Sequence, residues 1–251
     1  MNMKKSVFKI AAAAALSVAF SSVFSACSSS SFSISDCGPI AVVSVIGNKS
    51  VPWFDSDVNE EEDGDPNGIL STSVNRLFSK DNIEFTSCES RIDYADEAIR
   101  DGLVDLAGVE VVDKETVVNS EVYEDISKSY YNVLFSTVEA DGYKDLTTLG
   151  SKNARILMDA VGAKSLLLFE FDFRKEIVSG SKWDGEVGSY IKMTVRMKDE
   201  RGRESIYRVY EVRSADTVRI DSLKYDKSAL VELIKPTIDS AVSRFIVDYI
   251  N

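Results

Sequence analysis

Histidine is absent from all 251 residues of the chain. That single absence excludes Ser-His-Asp and Cys-His nucleophilic machinery, the zincin motif, every histidine-ligated metal site and a charge switch near neutral pH. Basic residues are scarce as well, 29 Lys and Arg against 41 Asp and Glu, for a net charge of −12. No basic footprint is left for neutralising phosphates, which argues against nucleic acid as a partner. The sequence contains no G-x-S-x-G, P-loop or Rossmann fingerprint, and Gly47-Asn48-Lys49-Ser50 lacks the preceding glycine of a Walker loop. The expectation is therefore a non-enzyme that needs no cofactor. What is present is an ordinary globular composition, 44% hydrophobic and 28% charged, enough for one sizeable core or two modest ones.

The first residues read as an address. Lys4, Lys5 and Lys9 stand without an acid, and Ile10 to Phe20 is apolar except for Ser17, a secretory n-region followed by an h-region. The apolar run falls short of the about 20 residues a transmembrane span needs, and no other segment approaches that length. It leads into Phe24-Ser25-Ala26-Cys27, which resembles a bacterial lipobox, with Phe at the position where Leu is usual, as in the looser boxes of spirochaete-type lipoproteins. The resemblance implies that Cys27 becomes the lipidated first residue of the mature chain, and Ser28 to Ser35 looks like the tether that follows it. Removing residues 1–26 takes three lysines and no acid, leaving 26 basic against 41 acidic residues, a net of −15. Such a surface is repelled by anionic lipid, so anchoring rests on acyl chains at about 0.8 kcal/mol per buried methylene. In an oxidising compartment Cys37 and Cys88 are then either a disulfide pair or two thiols; a bridge would close a loop of about 50 residues and stabilise by roughly 4 kcal/mol.

Beyond the tether, residues 39–251 read as a single α/β (α+β) domain, a mixed sheet of about five strands packed with amphipathic helices. Pro39 to Ile46 is a β-branched run and predicts a buried strand. An acidic loop, residues 55–68, is followed by helical spacing from Ile69 to Phe78 and a strand-like run from Ile83 to Ser87. Helices are expected at Tyr94 to Ala107, at Glu121 to Phe135 and at Asp145 to Val161, the last closed by Gly162 as a left-handed cap. Ala163 to Phe173 is the strongest strand, expected in the middle of the sheet. Tyr190 to Met197 and Ser205 to Val212 alternate across a hairpin turn and form a solvated edge. Asp226 to Tyr249 carries a wide apolar stripe broken near Pro236.

That order resembles the periplasmic α/β domain shared by the N-terminal domain of the Tol-system β-propeller protein, curli-secretion-type lipoproteins and outer-membrane activators of penicillin-binding proteins. The matching pieces are the strand and turn from Ile40 to Ser50, the element from Val161 to Leu168 and the hairpin through Asp199 to Arg203. Ser44 departs from the family pattern, which usually places a proline there, as does the acidic insertion from Asp55 to Asp65. A second resemblance is to spirochaete lipoproteins that lie beneath the outer membrane and insert amphipathic helices into it; it rests on the lipobox and on the helices around Tyr94 to Phe135. Both imply proteins that bind and position other molecules, and neither brings a catalytic residue to this chain.

Three constellations are candidates for chemistry. Asp63-Gly64-Asp65-Pro66-Asn67-Gly68 matches the opening of a calcium loop, with Asp63, Asp65 and Asn67 as oxygen ligands, but Val74 stands where the bidentate Glu is required, so the stretch reads as a solvated acidic loop. Glu170 and Asp172, two apart on a strand, share one face and are expected to pair with cations of the neighbouring hairpin strand. Trp53 and Phe54, beside Pro52, and Tyr130, Tyr131 and Phe135 in a second region read either as plugs for the ends of the sheet sandwich or as an interface, with Trp53 and Phe54 the candidate contact for a protein partner. The expected function is a binding or assembly module of the cell envelope, lipid-anchored most plainly to the periplasmic face of the outer membrane. The alternatives are a carrier of an apolar ligand or a membrane-perturbing lipoprotein, and a hydrolase with an unrecognised carboxylate site.

Overall fold

β-Branched residues on both sides of the chain make Ile40–Asn48 (β1) a strand buried on both faces. The computed structural model describes residues 33–49, 51, 89–129, 137–222 and 224–250. Its remaining described elements are α1 (Glu89–Asp105), α2 (Lys114–Val118), α3 (Glu121–Asp125), β2 (Thr137–Glu139), α4 (Ser151–Val161), β3 (Ser165–Gly180), β4 (Asp184–Lys198), β5 (Glu204–Arg213), β6 (Val218–Asp221), α5 (Lys227–Glu232) and α6 (Ile234–Tyr249). Among these residues six strands form one mixed sheet in the order β2-β1-β3-β4-β5, with β6 added beside β4. The expected count of about five included Ile83 to Ser87, outside the described residues, and omitted β2 and β6, three and four residues long and too short to show alternation.

β3 lies centrally, parallel to β1 and antiparallel to β4. Its odd-numbered side chains Phe169, Phe171 and Phe173 are buried beneath α1 and α6, where Phe245 meets Phe169 edge to face at 5.7 Å. Gly47 of β1 lets α1 approach, since a Cβ there would lie 2.3 Å from Ile92 Cδ1. Of the stripe Ala95, Ile99, Leu103 and Leu106, the first three are core, whereas Leu106, just past the end of α1, is 53% exposed. On the opposite face, α4 and the loop around Leu146 lie over the β1 and β3 side, and toward β4 and β5 the face carries half-exposed charges.

Several boundaries differ from expectation. Packing begins at Ile34, fully buried in a 3-10 turn (Ile34–Cys37), so the last residues read as tether and the start at residue 39 give way to a compact unit from Ile34 to Ile250. One apolar side chain outweighs a serine-rich composition. The helix expected from Asp145 starts at Ser151, because Asp145 Oδ1 accepts from the Thr147 amide (2.9 Å) and hydroxyl (2.7 Å), and Ser129 Oγ accepts from the Thr148 amide. α3 stops at Asp125, well before Phe135, while Gly162 takes the left-handed cap at φ 72°. The C-terminal stripe breaks at Leu233, leaving Pro236 in the first turn of α6, where its missing amide proton is tolerated. Ser44 follows a bulge in β1, and its hydroxyl accepts from the Leu146 amide, a bond a proline could not make.

Candidate functional site

The expected site residues Cys27, Trp53, Phe54, Asp63, Asp65, Asn67 and Cys88 lie outside the described residues, as do Tyr130, Tyr131 and Phe135 and the elements expected at Ile69 to Ser87. Cys37 is described: it is half-buried at the end of the 3-10 turn, and its carbonyl accepts from Ser165 Oγ at 2.8 Å. Burial first, and the charge of Asp36 second, push its thiol up from the ordinary cysteine range.

Glu170 and Asp172 do share one face of β3, opposite Thr194 and Lys192 of β4. Asp172 nevertheless pairs within its own strand, with Arg174 Nε at 2.7 Å and Nη2 at 2.6 Å, and not across the hairpin as expected. Side chains two apart on a strand reach each other when one of them is as long as arginine. Glu170 is raised above the usual carboxylate range by burial, a shift that Asp145 and Asp172 reinforce and that Arg196 and Lys192 oppose. The rest of this face is laced by opposite charges. Arg213 holds Glu176 with two hydrogen bonds and lies over Tyr190 at 5.3 Å, while Arg196 lies over Tyr207 at 5.0 Å. Such a face neutralises itself and offers no concentrated charge to an ionic ligand.

Two grooves stand out among the described residues. One, of about 340 Å³, runs past Val122, Ile126, Ser129, Leu149, Asn153 and Ile156. The other, of about 230 Å³, lies between α1 and α6 and brings together Glu97, Asp101 and Asp239, with the Tyr94 hydroxyl donating to both Asp239 oxygens at 2.8 and 2.9 Å. Among the described residues no three such side chains are placed to hold a metal ion. No protein-family profile matches the chain, and no curated protein matches its sequence.

One exposed feature was missed by sequence reasoning. β3 and β4 stay paired out to Gly180 and Gly185, far past the expected strand end at Phe173, so a long hairpin closes around Ser181, Lys182 and Trp183. Trp183 is 62% exposed, Val178 54% and Ile177 36%. The charged run Arg174-Lys175-Glu176 hid this extension, yet Lys175 is buried, with its ammonium donating to the Tyr225 hydroxyl at 2.7 Å. A tryptophan inside Gly180-Ser181-Lys182-Trp183-Asp184-Gly185 was the available signal.

Proposed function

We propose that the protein is a lipid-anchored module of the cell envelope that binds or positions another envelope component and carries out no catalysis. The observation that carries the reading is the Phe24-Ser25-Ala26-Cys27 box behind a basic and apolar leader. A module is favoured over a carrier because Ala95, Ile99 and Leu103 of α1 and Ile238, Val242, Phe245 and Ile246 of α6 are already buried against the sheet and each other. Cys27 bears the acyl chains, and the aromatic side chains of Trp53 and Phe54 contact a protein partner.

Detergent-phase partitioning of wild type and Cys27→Ala tests the anchor. The wild type should enter the detergent phase and the variant should stay in the aqueous phase. Equal partitioning of the two would remove the lipoprotein reading.

A further inference from the structure

We infer that Arg208 and Arg244 guard the open edge of β5 against pairing with a second copy of this chain. The edge exists because β5 is hydrogen-bonded to β4 and ends the sheet. The Ser214 amide donates to the Ser189 carbonyl at 2.8 Å, and the register runs unbroken from Tyr190 opposite Arg213 to Met197 opposite Ile206. Directly opposed residues of an antiparallel ladder alternate between bonded and non-bonded pairs. Ile206, Arg208, Tyr210 and Val212 therefore turn their backbone groups toward β4, whereas Tyr207, Val209, Glu211 and Arg213 turn theirs outward. Among the described residues no strand pairs with that outward row.

A second copy fits the row. Turned antiparallel about Tyr210, it sets Tyr207 against Arg213 of the second copy and Val209 against Glu211 of the second copy, and the same in reverse, so every outward residue meets an outward residue. Tyr207 is 49% exposed and Val209 39%, so pairing would bury apolar surface along with the new hydrogen bonds. The acidity of the whole chain does not bar this approach. From Tyr207 to Arg213, with Arg244 added, the charges are three arginines against Glu211.

Two guanidiniums occupy acceptors that a docking strand needs. Arg208 Nη1 donates to the Tyr207 carbonyl, and Arg244 Nη1, from α6, donates to the Glu211 carbonyl, each at 3.3 Å. Both carbonyls belong to the outward row. The even-numbered side chains of β5 face α6, where Tyr210 meets Phe245, and Ile206, Tyr210 and Val212 are buried there. The remaining member of that series is Arg208, which stays exposed. An arginine in an apolar series gives up a core contact and gains the reach to curl round the strand onto its own edge. An incoming strand must strip both guanidiniums from their acceptors and take their charge against its own backbone, which is how charged side chains blunt an edge. The opposite end of the described sheet is β2, three residues long, so unguarded β5 edges would close on each other as a two-fold pair.

The test weighs the full chain in excess detergent by size-exclusion chromatography with light scattering. The guards are removed together as Arg208→Thr with Arg244→Ala, both at exposed positions and replaced by residues suited to a strand and to a helix. The expected result is one copy for wild type and, for the double variant, about a two-fold rise in protein mass. Adding Val209→Pro should return the double variant to one copy, because the outward amide proton of Val209 is lost while the ladder to β4 keeps its bonds. A double variant that stays at one copy overturns the guard. A pair that survives Val209→Pro overturns β5 as the surface, and a two-copy wild type overturns the guarded state itself.

Discussion

Glu170 is the residue whose environment opposes its own charge. It lies on β3 where the face turns from the covered part toward the open ladder, and burial raises its pKa against the pull of Arg196 and Lys192. A carboxyl whose folded pKa exceeds its unfolded one favours folding below the unfolded value, near 4.3, and loses that contribution as pH rises through the folded value. At pH 7 the ionised form is therefore a cost to the folded state. Glu170→Gln removes the charge and keeps the shape, so its Tm should exceed that of wild type at pH 7, with the gap closing at pH 4, where wild-type Glu170 is protonated. Thermal melts of both proteins at the two pH values decide it. A variant that melts lower at pH 7 would mean that the pull of Arg196 and Lys192 outweighs burial and makes the carboxylate stabilising.

At the scale of elements, turns and close approaches set the architecture. Gly202 closes the β4–β5 hairpin at φ 72°, and a Cβ there would lie 2.2 Å from the Ser151 carbonyl oxygen at the start of α4. Gly202→Ala combines left-handed strain with a clash against backbone, a loss of about 2–4 kcal/mol and roughly 5–15 °C in Tm. An unchanged Tm would show that the hairpin does not rest on α4. These elements were unevenly legible beforehand. β1, α1, β3 and the C-terminal stripe could be read because burial imprints a period on the chain, and Gly162 because a helix end needs a residue that accepts φ near 72°. The length of the β3–β4 hairpin could not, because Lys175 is buried by a hydroxyl fifty positions away, at Tyr225, and no local pattern announces such a partner. The start of α4 was hidden for a related reason: Asp145 and Ser129 take amides that an apolar stripe alone would have assigned to a helix. The exposed tip at Trp183 depended on the hairpin and was lost with it.

Across the whole molecule, three phenols tie together pieces that are distant in the chain. Tyr94 of α1 donates to Asp239 of α6, Tyr143 donates to Asp96 of α1 at 3.0 Å, and Tyr123 of α3 donates to the Val43 carbonyl of β1 at 3.0 Å. Asp96 also takes Lys114 at 2.9 Å, and the Tyr123 oxygen accepts from the Lys144 amide at 2.7 Å, so helices, loop and sheet share one polar seam. Each phenol must keep its proton to donate. Burial, with the charge of Asp239 added, pushes Tyr94 up to about 12, and burial pushes Tyr123 and Tyr143 up as well, the latter helped by Asp96. An unfolded tyrosine titrates near 10, so these contributions are complete below about pH 10 and disappear as pH rises through the folded values. Wild type should therefore lose Tm steeply between about pH 10 and 12, with tyrosinate absorbance from the buried rings appearing together with loss of circular dichroism. Tyr143→Phe should melt lower at pH 7, because Asp96 loses a donor, yet its Tm should fall less steeply over the alkaline range, because one of the three protons is no longer there to lose. Parallel slopes for the two proteins would place the alkaline weakness outside Tyr143.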